Sequence, residues 1–201
     1  KGQKIDFPFH YDLIDFIPSL LNFLKKTKVK KFNQWNYLCE KIKKKNPLII
    51  KKQSDVSKTK LMDLYYFMDR LGKNSSKKNI LVTDAGSNYY VGGQVWKFEK
   101  GQTEITSISN AAMGLSIPLA IGAAIGSKNK EILAVTGDGS LELNIQELKT
   151  ISHYNLNIKL FVINNGGYVS MHNWTDNFFQ GRRVDTPEDT GEGTLNLKNI
   201  A

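Results

Sequence analysis

Two stretches decide the fold: EILAVTGDGS at 131–140 and IKLFVINNGG at 158–167. In the first, residues 131–135 form a short apolar run that reads as a buried strand and halts at a Gly-Asp-Gly-Ser turn. In the second, residues 158–163 read as another buried strand, halting at Asn-Asn-Gly-Gly. Between them Leu141, Leu143, Ile145, Leu148 and Ile151 recur at helical spacing, with Glu142, Asn144, Glu147 and Lys149 interleaved, until HYNLN at 153–157 breaks the pattern. Strand, helix and strand in that order predict two parallel strands whose following loops share one carboxyl edge. Ligands of open α/β sheets sit at that edge.

The residue types in the two loops suit a diphosphate held through a metal ion. Magnesium takes about six oxygens in a tight octahedron, few of them from protein and the rest from phosphate and water. Asp138 offers a carboxylate, Asn165 an amide oxygen and Gly167 a backbone carbonyl. Gly137 and Gly139 allow close backbone approach, and Ser140 opens the helix with a hydroxyl and unpaired N–H groups for a phosphate. Either loop alone is ordinary turn chemistry. Together, with a strand before each and a helix between, they specify a site.

This pairing of GDG with NN about two dozen residues later resembles the signature of thiamine diphosphate enzymes. The resemblance continues, in order, through VTDAGSN (82–88), NAAMGLSIPLAIGAAIG (110–126), GDGSLELNIQELKT (137–150) and NNGGY (164–168). From residue 60 onward the chain looks like the diphosphate-binding domain of the acetolactate synthase-like group. The fold implied is α/β, a parallel sheet flanked by helices on both faces, with both ends reading as cut.

Carried over position by position, the resemblance makes Asp138, Asn165 and Gly167 the metal ligands, with thiamine diphosphate and Mg2+ as cofactors. Gly139, Ser140 and Tyr168 fall at cofactor contacts, and Met113 at the apolar residue that bends the cofactor, although a Met there would also suit an ordinary core. Gly86, Ser87 and Asn88 stand where acetolactate synthases carry a Gly-Gln-His stretch, a departure at which small polar groups remain able to donate to phosphate. Trp174 and Met171 fall on the substrate side, where a tryptophan shapes the pocket for a second keto acid; a half-buried helix aromatic is the competing reading of Trp174.

The reaction implied is decarboxylation of a pyruvate-like 2-keto acid and transfer of the acyl carbanion to a carbonyl acceptor. A specialised relative in surface-sugar biosynthesis and a noncatalytic domain that keeps the fold are the alternatives. In the family a glutamate from a separate pyrimidine-binding domain activates the cofactor. No matching motif occurs upstream of Asp84, so this chain carries no catalytic residue of its own and is expected to be inactive alone. The parent is expected to be a homodimer or tetramer.

Three segments follow: residues 1–32 as the remnant of a preceding central domain, 33–60 as a basic connector, and 61–201 as the cofactor-binding domain, truncated at its end. Residues 3–7 start like a strand, 12–24 resemble a closing strand-to-helix segment, 33–45 carry Trp35, Leu38 and Ile42 at helical spacing, and 51–58 read as a linker. Residues 111–126 suit a tightly packed helix beneath the cofactor.

Charge follows the same partition. Residues 1–100 hold 21 Lys and Arg against nine Asp and Glu, whereas 101–201 hold seven against ten, so halves of +12 and −3 give the net +9. Lysine runs permit nonspecific contacts with nucleic acid, but arginine is scarce and no nucleic-acid fold signature occurs. With 40% hydrophobic residues the chain can bury a core, and no apolar run reaches the roughly 18 residues of a membrane span. The single Cys39 implies no disulfide framework, and with no export signal the expected location is cytoplasmic.

Overall fold

The computed structural model describes residues 4–28, 30–50, 61–107, 109–128, 130–184, 193 and 195–200. The chain divides into two units, 1–47 and 48–201. The first holds α1 (Leu13–Lys26) and α2 (Asn33–Lys45), neither with a buried residue. Local signals build both helices. The Asp12 carboxylate accepts from the Ile14 N–H at 2.8 Å to start α1, and lysines crowd the last turn of each helix, where the dipole favours cations. Residues 4–7 form no strand, and the linker expected at 51–58 lies outside the described residues.

The second unit contains a four-stranded parallel sheet in the order β2-β1-β3-β4, with β1 at Ile80–Thr83, β2 at Thr103–Ile105, β3 at Ile132–Gly137 and β4 at Ile158–Ile163. The helices are α3 (Leu64–Asn74), α4 (Ser87–Val95), α5 (Ser116–Gly126), α6 (Asp138–Glu142), α7 (Leu148–His153) and α8 (Val169–Phe178). The strands that the sequence predicts at 131–135 and 158–163 are β3 and β4, paired in parallel.

Sheet alternation sorts the apolar side chains to two faces. Ile80, Val82, Ile132 and Ala134 join Ala120, Ala123 and Ala124 of α5 in one core cluster. Leu81, Leu133 and Val135 join Met68 of α3, Val91 and Val95 of α4, and Trp96 in the other. With both faces covered, β1 and β3 read as unbroken apolar runs. The alanines let α5 approach closely.

Two expected helices come out differently. The one expected across 141–151 is broken: α6 ends at Glu142, Asn144 leaves helical geometry, and a 3-10 turn at Ile145–Glu147 leads into α7. The 111–126 helix begins only at Ser116, because Gly114 adopts a φ of +76° and ends any helical path before it.

Candidate functional site

Strand order positions the site. From β1 the chain crosses to β2 on one side, then returns to β3 on the other, so the carboxyl ends of β1 and β3 form the switch point at which a crevice opens. A cleft of about 250 Å³ lies there, walled by the segments that follow β1, β3 and β4 and by the loop before α5. Asp138, Gly139, Ser140, Asn165, Gly167, Tyr168, Met113, Gly86, Ser87, Asn88 and Met171 all line it.

Asp138, only 3% exposed, organises the cleft's floor. Its Oδ2 accepts from three consecutive backbone N–H groups, those of Asn165 (3.0 Å), Gly166 (2.8 Å) and Gly167 (3.1 Å). Three successive amides can face one oxygen because Gly166 and Gly167 take φ of +82° and +91°, forming an anion nest. Oδ1 accepts from the Gly139 N–H at 2.9 Å and keeps acceptor capacity.

The end of the Asn165 side chain lies 3.2 Å from Asp138 Oδ1 and 3.2 Å from the Gly167 carbonyl oxygen. Turned nitrogen inward, the amide donates to both; turned oxygen inward, it makes three oxygens converge with no proton between them. Neighbouring ligands of an octahedral ion with 2.0–2.1 Å bonds sit about 3 Å apart, so this spacing fits a small divalent cation. Among the described residues no group of three or more His, Cys, Asp or Glu could hold a metal. A cation here would rely on one carboxylate, one amide, one carbonyl and its ligand's oxygens.

Helix α4 starts beside this floor with Ser87 and Asn88 at the cleft and no side-chain cap, so its first N–H groups suit an anion. The α6 helix begins at Asp138, two residues earlier than the predicted start at Ser140. Trp174 lies apart from the lining, 56% exposed on α8, with its ring 4.4 Å from that of Phe178.

Asp84, 1% exposed and directly after β1, is a further residue of the site region that the sequence alone does not single out. Its Oδ1 accepts from the N–H groups of Ala85 (2.8 Å) and Gly114 (3.1 Å); its Oδ2 accepts from the Ser116 N–H (3.2 Å) and the Thr136 hydroxyl (3.0 Å). One carboxylate thus ties the β1 exit, the turn after Met113 and the last residues of β3. The available signal was an acidic residue directly after the apolar run ILVT.

A parallel sheet whose switch-point cleft combines a helix start with a carboxylate, amide and carbonyl cluster defines a diphosphate-binding α/β domain. Residues 84–201 match the family described as "Thiamine pyrophosphate enzyme, C-terminal TPP binding domain". Over 191 residues the chain is 30% identical to the acetolactate synthase large subunit of Lactococcus lactis subsp. lactis (strain IL1403), covering 94% of this chain and 32% of that protein. Over 155 residues it is 31% identical to acetolactate synthase 1, chloroplastic, of Nicotiana tabacum, with 77% and 22% covered. Over 150 residues it is 34% identical to the acetolactate synthase large subunit of Cyanidium caldarium, with 74% and 24% covered. The chain belongs to the thiamine pyrophosphate (thiamine diphosphate) enzymes and is acetolactate synthase-like. It spans about a third or less of the length of these relatives. Among the described residues no helix is long and apolar enough to cross a membrane.

Proposed function

We propose that this chain holds the diphosphate of thiamine diphosphate through Mg2+, with Asp138 Oδ1, the Asn165 amide oxygen and the Gly167 carbonyl as the protein ligands. The working enzyme decarboxylates a pyruvate-like 2-keto acid and transfers the acyl unit to a carbonyl acceptor. The observation that carries this reading is that the end of the Asn165 side chain lies 3.2 Å from both Asp138 Oδ1 and the Gly167 carbonyl oxygen, a spacing that neighbouring ligands of a small octahedral ion would also take, beside the open start of α4.

When bound, the cofactor supplies the nucleophilic carbon and the electron sink for carbon dioxide loss. The chain's own residues do the holding. Asp138 Oδ2 accepts from the 165–167 nest, so the loop is formed without ligand and little ordering entropy remains to be lost, and Oδ1 would be the oxygen left for a cation. The first N–H groups of α4, at Ser87 and Asn88, together with Gly139 and Ser140, which also line the cleft, would hold the phosphates. Met113 and Met171 add apolar surface to the cleft, at what this reading makes its thiamine and substrate end.

Asp138 is the one carboxylate among the described residues that line the cleft, and its oxygens are committed. Proton transfer therefore calls for a group brought from elsewhere. This supports reading the working enzyme as a homodimer or tetramer in which another domain or subunit contributes a glutamate.

Calorimetry tests the site: thiamine diphosphate is expected to bind with Mg2+ and to lose more than about tenfold in affinity in EDTA or in Asp138→Ala. Equal affinity in wild type and variant would sink the metal assignment. Product analysis with pyruvate, with and without 2-ketobutyrate, reads acceptor choice. Substitution of Trp174 shifts that choice if its ring reaches the acceptor.

A further inference from the structure

The Gly114 peptide is gripped from both sides. Its N–H donates to Asp84 Oδ1 at 3.1 Å, and its carbonyl accepts from Asn144 Nδ2 at 2.7 Å. The grip comes from two separate parts of the fold: Asp84 directly follows β1 and is braced by Thr136 of β3, while Asn144 stands just where the chain breaks between α6 and the 3-10 turn. Gly114 itself cannot be replaced cheaply, since its φ is +76° and a Cβ would lie 2.7 Å from Leu143 Cβ. Directly before it, Met113 is partly exposed and lines the cleft.

The geometry points to Asp84 and Asn144 as positioning residues that clamp the Gly114 peptide and so set how far Met113 projects into the thiamine end of the cleft. Neither residue lines the cleft, so both act through the turn. The clamp also explains why the helix predicted across 141–151 breaks where it does: Asn144 gives up helical geometry and donates to a carbonyl 30 residues away. It links the two ends of the site as well, because Asp84 holds Thr136 two residues before Asp138. The inference rests on the reading that Met113 meets the thiamine part while Asp138, Asn165 and Gly167 meet the diphosphate.

Two measurements test it on the chain as it stands. Amide hydrogen exchange without ligand reads the clamp itself. Asn144→Ala is expected to speed exchange at Gly114 at least about tenfold while the Asn165–Gly167 amides, held by Asp138, keep their rates. Unchanged exchange at Gly114 overturns the clamp, and equal acceleration at both loops does too, since it marks general loosening. Asp84→Asn keeps the volume but lacks one acceptor oxygen, and is expected to speed Gly114 or Ser116 in the same selective way.

Binding with Mg2+ then reads the consequence. Both variants are expected to weaken thiamine diphosphate at least about fivefold and inorganic diphosphate less than about twofold. Equal loss for the two ligands, or none, overturns the positioning role. Met113→Ala separates the underlying reading: if it leaves thiamine diphosphate affinity unchanged while exchange at Gly114 still responds to Asn144→Ala, the placement of Met113 fails and the clamp stands.

Discussion

The two units of this chain spend similar side chains in opposite ways. Helix α1 carries Leu13, Ile14, Phe16, Ile17, Leu20, Leu21, Phe23 and Leu24, yet buries none of them, whereas the 48–201 unit packs comparable residues into two clusters on a sheet. Local signals suffice to build α1 and α2, with a carboxylate cap at the start of α1 and lysines at both ends. They do not supply a partner face. Most helical stability in proteins comes from packing of that face, and Pro18 inside α1 removes one ladder bond besides. Cooperative stability in this chain should therefore reside in the sheet unit, and the site should inherit it.

The largest effect should come from Met68→Ala. Met68 is 0% exposed, and its methyl group lies where a Cβ on Gly92 would be only 3.2 Å away, so α3, α4 and the sheet meet on this side chain. A loss of about 2–5 kcal/mol is expected in urea denaturation followed by the fluorescence of buried Trp96. A cost under about 1 kcal/mol would break the contrast between the units. Next comes Gly114→Ala, with strain of roughly 1–3 kcal/mol from its backbone conformation and a clash against Leu143. That variant should lose stability and thiamine diphosphate affinity together. Stability unchanged within 0.5 kcal/mol, roughly the scatter for surface sites, would show that the turn relaxes freely.

What the sequence disclosed divides along the same line of local against distant. The β4 strand and α2 fall where periodicity puts them, and the metal-ligand candidates come together because they lie within a few residues of the carboxyl ends of the paired strands β3 and β4. Asp84 stayed hidden because its partners lie 30, 32 and 52 residues away, and no local pattern announces such a network. The helix expected over 141–151 breaks for the same reason: Asn144 is a passable helix residue until a carbonyl 30 positions away recruits its amide. Residues 4–7 have strand-like composition, but no strand forms among the described residues of the 1–47 unit.

A smaller effect tests the sheet unit's rim. Glu131, before β3, accepts from Asn79 at 2.7 Å and pairs with Lys159 of β4, tying the amino ends of three strands. The hydrogen bond from Lys159 is the main cause that lowers the Glu131 pKa, with burial opposing it. A carboxylate lowered on folding stabilises above its unfolded pKa, near 4.5, and that contribution fades as pH falls through the folded value below it. Glu131→Gln should therefore cost about 0.5–1 kcal/mol at pH 7 and less at pH 3. Equal cost at both values would assign the effect to packing rather than charge.

The smallest expected effect is at Trp35. On the surface of α2 its indole is 64% exposed, and the helix contributes no buried residue. Truncating a large aromatic usually costs several kcal/mol because it vacates packed volume, but Trp35 has no such volume to vacate. Trp35→Ala should leave the Trp96-monitored unfolding midpoint within the equivalent of about 0.5 kcal/mol, while removing an exposed emitter from the spectrum. A loss above about 2 kcal/mol would mean that the 1–47 unit is energetically part of the fold that carries the site.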